Sequence, residues 1–172
     1  PVLQTIVFGV AINTEIENIP VVLLDLDGRN HARELRESFE NTRTFLIVER
    51  ALDDDSFDRA ITSGRAKVGI RIPADYSDRL LSGQQAHVQV LIDGSDSQVA
   101  TTAMNTANLL GLKMSIGKAK AMAENFPMVP ARDEVGATAL PIEMRTRLLF
   151  NPNLESSHFF VPGLVGIILQ LV

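Results

Sequence analysis

The two ends of this chain are apolar and carry no charged side chain. Residues 1–12 read PVLQTIVFGVAI and residues 159–172 read FFVPGLVGIILQLV. A helix that spans a membrane needs about 20 consecutive apolar residues, so each stretch is long enough for only part of a span. Two partial spans, one at each end, are expected when a domain lies between two membrane helices. The alternative is that both stretches are buried core helices, because apolar runs of about 10–14 residues are often buried in that way.

The composition is that of a globular domain with an acidic balance. The chain has 172 residues, 45% of them hydrophobic and 22% charged, and this length is sufficient to bury a core. The net charge of −5 repels the phosphate backbone of nucleic acids, so we expect no nucleic-acid partner. The chain contains no cysteine, which excludes disulfides, thiolate chemistry and zinc-finger ligation within it. An absence of cysteine is compatible with an oxidising compartment such as the periplasm.

Between the two ends, strand patterns alternate with amphipathic helical patterns. The run VVLLDLD (21–27) is typical of a buried strand, whereas AKVGIRIP (66–73) alternates apolar and polar residues as a half-buried strand does. This order predicts an α/β fold with a mixed sheet of four to five strands, flanking helices and one long helix. The predicted strands are 21–27, 44–51, 66–73, 86–94 and 142–151, and the predicted helices are 31–41, 53–63, 74–83 and 95–125.

The long predicted helix contains two glycines, Gly111 and Gly117. Each glycine costs about 1 kcal/mol relative to alanine in a helix interior, so we expect a bend or a break at this point.

The inward positions of the strands and of the first helix predict the core. The two apolar ends adjoin the body on either side, so we also expect the two ends of the body to lie close together. The predicted core residues are Val22, Leu24, Leu35, Phe39, Ile47, Val68, Ile70, Val90 and Ile92.

The stretch VVLLDLDG (21–28) is the strongest candidate for a catalytic motif. An apolar strand followed by Asp-x-Asp-Gly resembles the first motif of haloacid-dehalogenase-type phosphatases. In that family the first aspartate (here Asp25) attacks phosphorus, the second (here Asp27) acts as acid and base, and both help to hold Mg²⁺. This chain continues with Arg29 and Asn30 where that family has Thr or Val. A strand that runs into an Asp/Gly turn is also common, so the phosphatase is kept only as an alternative.

Other potential ligands do not form a recognisable metal or cofactor site. Residues 53–55 are three consecutive aspartates, a pattern that fits a helix N-terminus better than a calcium site. The chain has neither a P-loop nor a G-x-S-x-G motif. We therefore expect no cofactor, no metal and no catalytic residue. Three histidines lie too far apart in sequence to form a spaced metal pair: His31, His87 and His158.

Four stretches in succession resemble the permease subunits of ATP-binding-cassette type-2 exporters. Residues 1–27 resemble the end of the first transmembrane helix, a polar neck and a first strand that ends in Asp. ARELRESFENTRTFLIV (32–48) resembles the first helix and second strand of that family. GRAKVGIRIPADYSDRLLSGQQAHVQVLIDGSD (64–96) resembles its middle strand, its proline-led helix and the strand that ends in DGS. RTRLLFNPNLESSHFFVPGLVGIILQ (145–170) resembles its last strand, followed by Asn-Pro and by the Phe-x-Val-Pro-Gly start of the second transmembrane helix.

The resemblance also assigns motif positions, which we expect to be structural. The last stretch is the most specific of the four. The motif positions are Pro20, Asp25, Pro73, Asp93, Gly94, Asn151, Pro152, Phe160, Pro162 and Gly163.

The resemblance implies a domain organisation and a location. Residues 1–16 would be the end of the first transmembrane helix and the neck, residues 17–155 the extracytoplasmic α/β domain, and residues 156–172 the start of the second transmembrane helix. The protein would lie in the cytoplasmic (inner) membrane, with this domain on the periplasmic side.

The resemblance further implies a function without covalent chemistry in this chain. The full permease would export a drug-like, lipid or polymer substrate. Its partners would be a separate ATP-binding-cassette ATPase subunit, a second permease copy in a homodimer, and a periplasmic adaptor protein that could dock on this domain. The alternatives are the phosphatase described above and a soluble binding domain.

Overall fold

A computed structural model describes residues 16–125 and 130–154. Helices and strands alternate along these segments, which confirms the predicted α/β class. The calls that fall on residues 1–15 and 155–172, including both apolar ends, lie outside the described residues. The elements are β1 Ile19–Asp25, α1 Asn30–Glu40, β2 Phe45–Ala51, α2 Asp54–Thr62, β3 Val68–Ile72, α3 Tyr76–Leu81, β4 Ala86–Asp93, α4 Ser97–Asn125 and β5 Ile142–Leu149.

Two strands, β1 and β5, end two residues earlier than the sequence predicted. β1 ends at Asp25 because the Asp25 carboxylate accepts hydrogen bonds from the N–H groups of Asp27 and Gly28, which closes a turn. β5 ends at Leu149 because Phe150 has a φ of 67°, outside the extended range of a strand.

The sheet is mixed, with the strand order β2-β1-β3-β4-β5. β1 pairs in parallel with both β2 and β3, whereas β4 runs antiparallel to β3 and β5 runs parallel to β4. The two ends of the sheet can be defined by these strand directions. The terminal end is where β1, β2 and β3 begin and where β4 and β5 finish. The distal end is the opposite one.

One face of the sheet is covered by three helices. α1, α3 and α4 pack here against alternate residues of β1, β3 and β4 and against the start of β5. Phe39 and Leu35 of α1 and Tyr76 of α3 have no exposed surface, and Phe39 packs against Phe45 with ring centroids 5.6 Å apart. This face holds the larger of the two apolar clusters.

The other face is covered only in part, by α2. Phe57, Ala60 and Ile61 of α2 pack against Val22 and Leu24 of β1. β1 is thus buried on both sides, as its continuous apolar run requires. The predicted core residues are buried, except that Ile47 is only partly buried. Val22 and Leu24 face α2, whereas the other predicted strand residues face α1, α3 and α4.

The long helix α4 continues through both glycines without a break. Gly111 instead permits a close approach to β5, because a Cβ at this position would lie 2.6 Å from Cγ of Met144. One turn later, the buried hydroxyl of Ser115 donates to the carbonyl oxygen of Ile142 (3.0 Å) and accepts from its N–H (3.1 Å). These contacts attach α4 to the beginning of β5.

The described chain begins and finishes at the terminal end of the sheet. Ile16 precedes β1 and Leu154 follows β5, and both pack against the larger apolar cluster. β1 and β5 are separated by two strands, which corresponds to about 14 Å across the sheet. The two ends of the described body therefore lie at the same end of the sheet.

Within residues 16–125 and 130–154, no helix is long and apolar enough to cross a membrane.

Candidate functional site

Motif positions at the terminal end of the sheet lie along one row of hydrogen bonds. The Lys67 N–H donates to the Pro20 carbonyl oxygen (2.8 Å), and the Asp93 N–H donates to the Lys67 carbonyl oxygen (2.8 Å). The Gly94 N–H then donates to the carbonyl oxygen of Leu149 (2.9 Å). The row joins β1, β3, β4 and β5 where β1 begins and β5 ends.

The Asp93 side chain is buried in the middle of this row. Its carboxylate contacts Nζ of Lys67 at 2.7 Å and accepts a hydrogen bond from the Ser95 N–H at 2.9 Å. Burial raises the pKa of Asp93, but the hydrogen bonds from Lys67 and Ser95 outweigh this effect and hold the pKa below its usual value. Asp93 is therefore an ionised residue that ties β4 to β3.

Gly94 is required by the close passage of the chain that leaves β5. A Cβ at Gly94 would lie 2.8 Å from the carbonyl oxygen of Asn151 and 2.9 Å from that of Leu149. Beyond β5 the Asn151 N–H donates to Leu149 O (2.8 Å) and the Leu154 N–H donates to Asn151 O (3.1 Å), while Phe150 and Leu154 have positive φ angles of 67° and 51°. The exit from β5 is thus a sharply turned segment that rests on Gly94.

The remaining motif positions are distributed differently. Pro152 is exposed in the turn after β5, near Asn151. Asp25 ends β1 and Pro73 directly follows β3, so both lie at the distal end, away from the terminal row. Phe160, Pro162 and Gly163 lie outside the described residues.

The Asp-x-Asp-Gly motif forms a closed structural turn. The Asp27 side chain has no exposed surface and accepts hydrogen bonds from Oγ of Ser77 (2.6 Å) and from Nε (2.9 Å) and Nη2 (2.7 Å) of Arg29. Arg29 also contacts Asp78 at 2.6 Å. Burial raises the pKa of Asp27, but hydrogen bonds from Ser77 and Arg29 outweigh it and lower the pKa.

In this turn neither aspartate is free to act in phosphatase chemistry. Asp25 is engaged with backbone N–H groups and Asp27 with Ser77 and Arg29, so neither carboxylate is directed at an open site. Among the described residues, no group of three or more His, Asp or Glu side chains could hold a metal ion. The geometry does not favour the alternative of a magnesium-dependent phosphatase.

The three consecutive aspartates mark a helix start, as the sequence indicated. Asp53 is the N-cap of α2, and its Oδ1 accepts from the Ser56 N–H at 2.7 Å while Ser56 Oγ lies 3.4 Å from the Asp53 N–H. The hydrogen bonds from Ser56 lower the pKa of Asp53. Asp54 pairs with Arg71 of β3 at 2.7 Å, so the three carboxylates do not converge.

Two of the three histidines are described, and each lies beside carboxylates at a different place. His31 is near Glu34 and Lys118, between α1 and α4. His87 of β4 lies between Glu143 (2.8 Å from Nδ1) and Glu134 (3.2 Å from Nε2). His158 lies outside the described residues.

The sequence reasoning did not single out the uncovered part of the second sheet face. There, a cavity of about 510 Å³ is lined by polar residues of β3, β4 and β5 and of the segments near the distal end. The strand patterns did indicate that Arg71, Arg145 and Arg147 lie on the polar side of their strands. That these strands lie next to β4 on either side could not be read from the patterns. The lining residues are Arg71, Pro73, Asp75, Arg79, His87, Gln89, Glu134, Arg145, Thr146 and Arg147.

One protein-family model matches the whole chain. The model of the "ABC-2 family transporter protein" matches residues 1–172. The match covers both the described segments and the apolar ends.

Curated proteins similar to the chain are permeases. It is 28% identical over 171 residues to the "Probable multidrug ABC transporter permease YbhR" of Escherichia coli K12, a match that covers 98% of this chain and 42% of the relative. It is 29% identical over 177 residues to "Probable multidrug ABC transporter permease YbhS" of the same strain, which covers 100% of this chain and 42% of the relative. The chain thus spans less than half the length of these relatives.

A solved structure shares the fold. The crystal structure of "a domain of a putative ABC type-2 transporter" from Thermotoga maritima MSB8 matches with a TM-score of 0.56 at 19% identity. The match covers 86% of this chain and 99% of that one.

Proposed function

Because this chain belongs to the ABC-2 family of transporter proteins, we propose that it is the extracytoplasmic domain of an export permease. Residues 17–155 form the domain, residues 1–16 are the end of the first transmembrane helix with its neck, and residues 156–172 begin the second. The permease lies in the cytoplasmic membrane with this domain on the periplasmic side. The chain takes part in transport without catalysing a covalent reaction.

The position of Ile16 and Leu154, the two ends of the described body, is the observation that carries this proposal. Ile16 and Leu154 both lie at the terminal end of the sheet, beyond the start of β1 and the end of β5, two strands about 14 Å apart. A domain inserted between two membrane helices needs its first and last residues on the membrane side, at a separation that packed helices can bridge, and helix axes in contact are about 8–10 Å apart. A strand separation of about 14 Å is of the same order as this helix spacing, and it supports the proposal.

The hydrogen-bonded row at the terminal end gives the domain a firm connection to the second of these helices. Asp93, Gly94 and Leu149 join the exit from β5 to the interior strands. A displacement of the segment after Asn151 would therefore be passed to the sheet as a whole. In the proposed permease, movements of the second transmembrane helix and of the domain are coupled through this contact.

The whole permease requires partners beyond this chain. We place ATP hydrolysis on a separate ATP-binding-cassette subunit, and two permease copies, as a homodimer, around the transport path. The domain gates the exit of that path or docks a periplasmic adaptor protein. The substrate is drug-like, lipid or polymeric, and the names of the relatives from Escherichia coli favour the drug-like class.

The location can be tested by cysteine labelling of the permease in its native membrane. This chain contains no cysteine, so a single cysteine introduced at Val135 (89% exposed) or Leu52 (91% exposed) is a unique label site within the domain. We expect a membrane-impermeant maleimide to label both variants in intact spheroplasts.

The control is a cysteine at a fully buried core position, Val90→Cys, which should react only after denaturation. Labelling of the Val135 and Leu52 variants in inverted vesicles but not in spheroplasts would place the domain in the cytoplasm and refute the proposal.

A further inference from the structure

The outer side of α4 carries a stripe of exposed apolar side chains. Leu109 is 66% exposed, Leu112 43% and Ile116 58%, whereas Ala107 and Gly111 face the sheet. Successive residues are turned by about 100° around a helix, so Leu109 and Ile116 point directly away from the buried side of α4. We call Leu109, Leu112 and Ile116 the outer stripe.

No part of the described segments covers the outer stripe. A groove of about 440 Å³ runs along one side of it, between α4 and α1, and Leu109 forms part of the groove wall. All three side chains of the stripe remain accessible to solvent. Contiguous exposed apolar surface is unfavourable in water and commonly marks a contact with another molecule.

The spacing of the outer stripe matches one half of a helix pair. Leu109, Leu112 and Ile116 are three and four residues apart, and the exposed Ala119 follows three residues later. Apolar residues at alternating intervals of three and four form the seam along which two helices pack side by side. A second copy of α4 presents the same seam and is therefore complementary to it.

The direction of α4 determines how two copies could pair. α4 starts at Ser97, just after β4 finishes at the terminal end, and its Ser115 contacts Ile142 at the distal end. α4 therefore runs from the terminal to the distal end of the sheet. In the function proposed above, on which this inference rests, the terminal end faces the membrane.

The membrane also restricts the symmetry of such a pair. Two identical copies inserted in the same sense can be related by a two-fold axis only along the membrane normal, because any other two-fold axis would invert one copy. α4 runs from the membrane side outwards, along the direction of this axis. Two α4 helices that meet at the axis are then parallel, and each residue of the stripe meets its own counterpart.

The charges beside the stripe favour the same arrangement. Lys113 and Lys120 lie on one side of it, whereas Asn108 lies on the other. A parallel pair places the lysine side of one helix opposite the asparagine side of its partner. An antiparallel pair would bring the two lysine sides together, where like charges repel.

We propose that the outer stripe is the surface through which the domains of two permease copies contact each other, with their α4 helices packed in parallel. Stable interfaces between soluble proteins bury about 800 Å² per partner, more than three side chains provide. The contact therefore depends on the membrane, which holds the two copies close together at a high effective concentration.

Cysteine cross-linking of the whole permease in its native membrane tests the contact, in a background free of other cysteines. The variants are Leu109→Cys, Leu112→Cys and Ile116→Cys, and the chain itself contributes no cysteine. A disulfide requires Cα atoms about 4.4–6.8 Å apart, which facing positions of a parallel helix pair can reach. We expect each variant to form a disulfide-linked dimer on oxidation with copper phenanthroline, detected on a non-reducing gel.

Two control cysteines distinguish this contact from random collision. Gly117→Cys follows Ile116 directly but is turned about 100° away from the stripe. Asp58→Cys is also exposed on a helix, but on α2 at the other face of the sheet. Both should give less than about a tenth of the dimer formed by Ile116→Cys, since neither faces its counterpart.

A charge placed in the stripe provides a second measurement. Ile116→Glu brings two carboxylates together across the axis and should lower the cross-linking of Leu112→Cys about tenfold. Leu52→Glu, at an exposed leucine outside α4, adds the same charge and should leave the cross-linking unchanged.

The pattern of cross-links decides the proposal. Cross-linking at Leu112 without Leu109 and Ile116 would mean an antiparallel pair, since those two residues lie about 10 Å apart along α4, and it would overturn the proposal. No dimer at the stripe, or as much dimer at Asp58, would mean that another molecule or another segment covers the stripe. Maleimide labelling of Val135→Cys reports the location independently, so labelling in spheroplasts without cross-links would refute this contact alone.

Discussion

Gly94 and Asn151 meet backbone to backbone at the terminal end of the sheet, where a Cβ on Gly94 would lie 2.8 Å from the carbonyl oxygen of Asn151. The contact joins the end of β4 to the segment that leaves β5. It accounts for two of the motif positions together, because a side chain at Gly94 would displace the exit that contains Asn151. The predictions below begin with this contact.

Gly94→Ala should destabilise the domain by about 1–3 kcal/mol, the usual cost of inserting a methyl group where no space exists. The measurement is urea unfolding of the variant beside Gly117→Ala. Gly117 lies in α4 with nothing within 4 Å of its missing Cβ, so its replacement should be neutral or stabilising, by up to about 1 kcal/mol. Equal effects of the two variants would show that the contact with Asn151 is not close.

Phe39→Ala should cost about 3–5 kcal/mol of unfolding free energy, because the ring is fully buried between α1 and the sheet and its removal leaves a cavity. Leu52→Ala is the comparison, since Leu52 is 91% exposed and its loss should change stability by no more than about 0.5 kcal/mol. A small effect at Phe39 would contradict the placement of α1 on the larger cluster.

Asp93 should contribute stability that depends on acid pH. Its pKa is lowered in the folded protein, so the contribution is present above the ordinary aspartate pKa of about 3.9 and is lost as pH falls through the folded value. The unfolding free energy of the unaltered chain and of Asp93→Asn should therefore differ most at neutral pH and converge below about pH 4. The control is Asp58→Asn, which removes an exposed carboxyl on α2 and leaves the Asp93–Lys67 pair intact. A difference that is constant with pH would exclude the ionised Asp93–Lys67 pair.

The chain should show no magnesium-dependent phosphatase activity, because Asp25 and Asp27 are engaged in a structural turn. The assay uses a generic phosphate ester with Mg²⁺, beside the Asp25→Asn variant. Turnover that is lost in the variant would favour the enzyme over the transporter domain.

Residues 17–155 should fold without the apolar ends. Both described apolar clusters consist of residues within this range, with only Ile16 outside it. Exposed apolar area costs about 25 cal/mol per Å², so the full chain should self-associate more than the shortened one. Thermal melting and light scattering of the two chains provide the comparison. Unfolding of the shortened chain would mean that the ends are core elements.

The sequence predicted the elements well wherever their pattern depends on near neighbours. Leu35 and Phe39 of α1 recur at helical spacing and are buried, and Asp53 caps α2 as its position suggested. The prediction failed at Gly111, where helix propensity favoured a break. A buried contact with Met144 of β5 decided the outcome instead, because packing outweighs the propensity of a single residue.

The candidate sites were less predictable. The motif positions Asp93 and Asn151 were identified by resemblance, but their proximity was not, and Lys67 was missed as the partner of Asp93. The uncovered part of the second sheet face was missed entirely. Its arginines, Arg71 and Arg145, are separated in the sequence by a helix, a strand and the long helix α4.

The sequence by itself determined the alternation of strands and helices, the apolar positions that fill the core and, through its motifs, the family. These properties depend on the spacing of apolar residues, which repeats every two residues in a strand and every 3.6 residues in a helix. This spacing can be read from a short segment by itself. Only the tertiary structure decided the strand order, the reversal of β4 and β5 relative to β1, and hence which side chains became neighbours. Lateral pairing in a sheet joins residues that are distant in sequence, and its register depends on the packing of the whole body. For that reason Gly94 meets Asn151, and Arg71 meets Arg145 across Gln89, only in the folded chain.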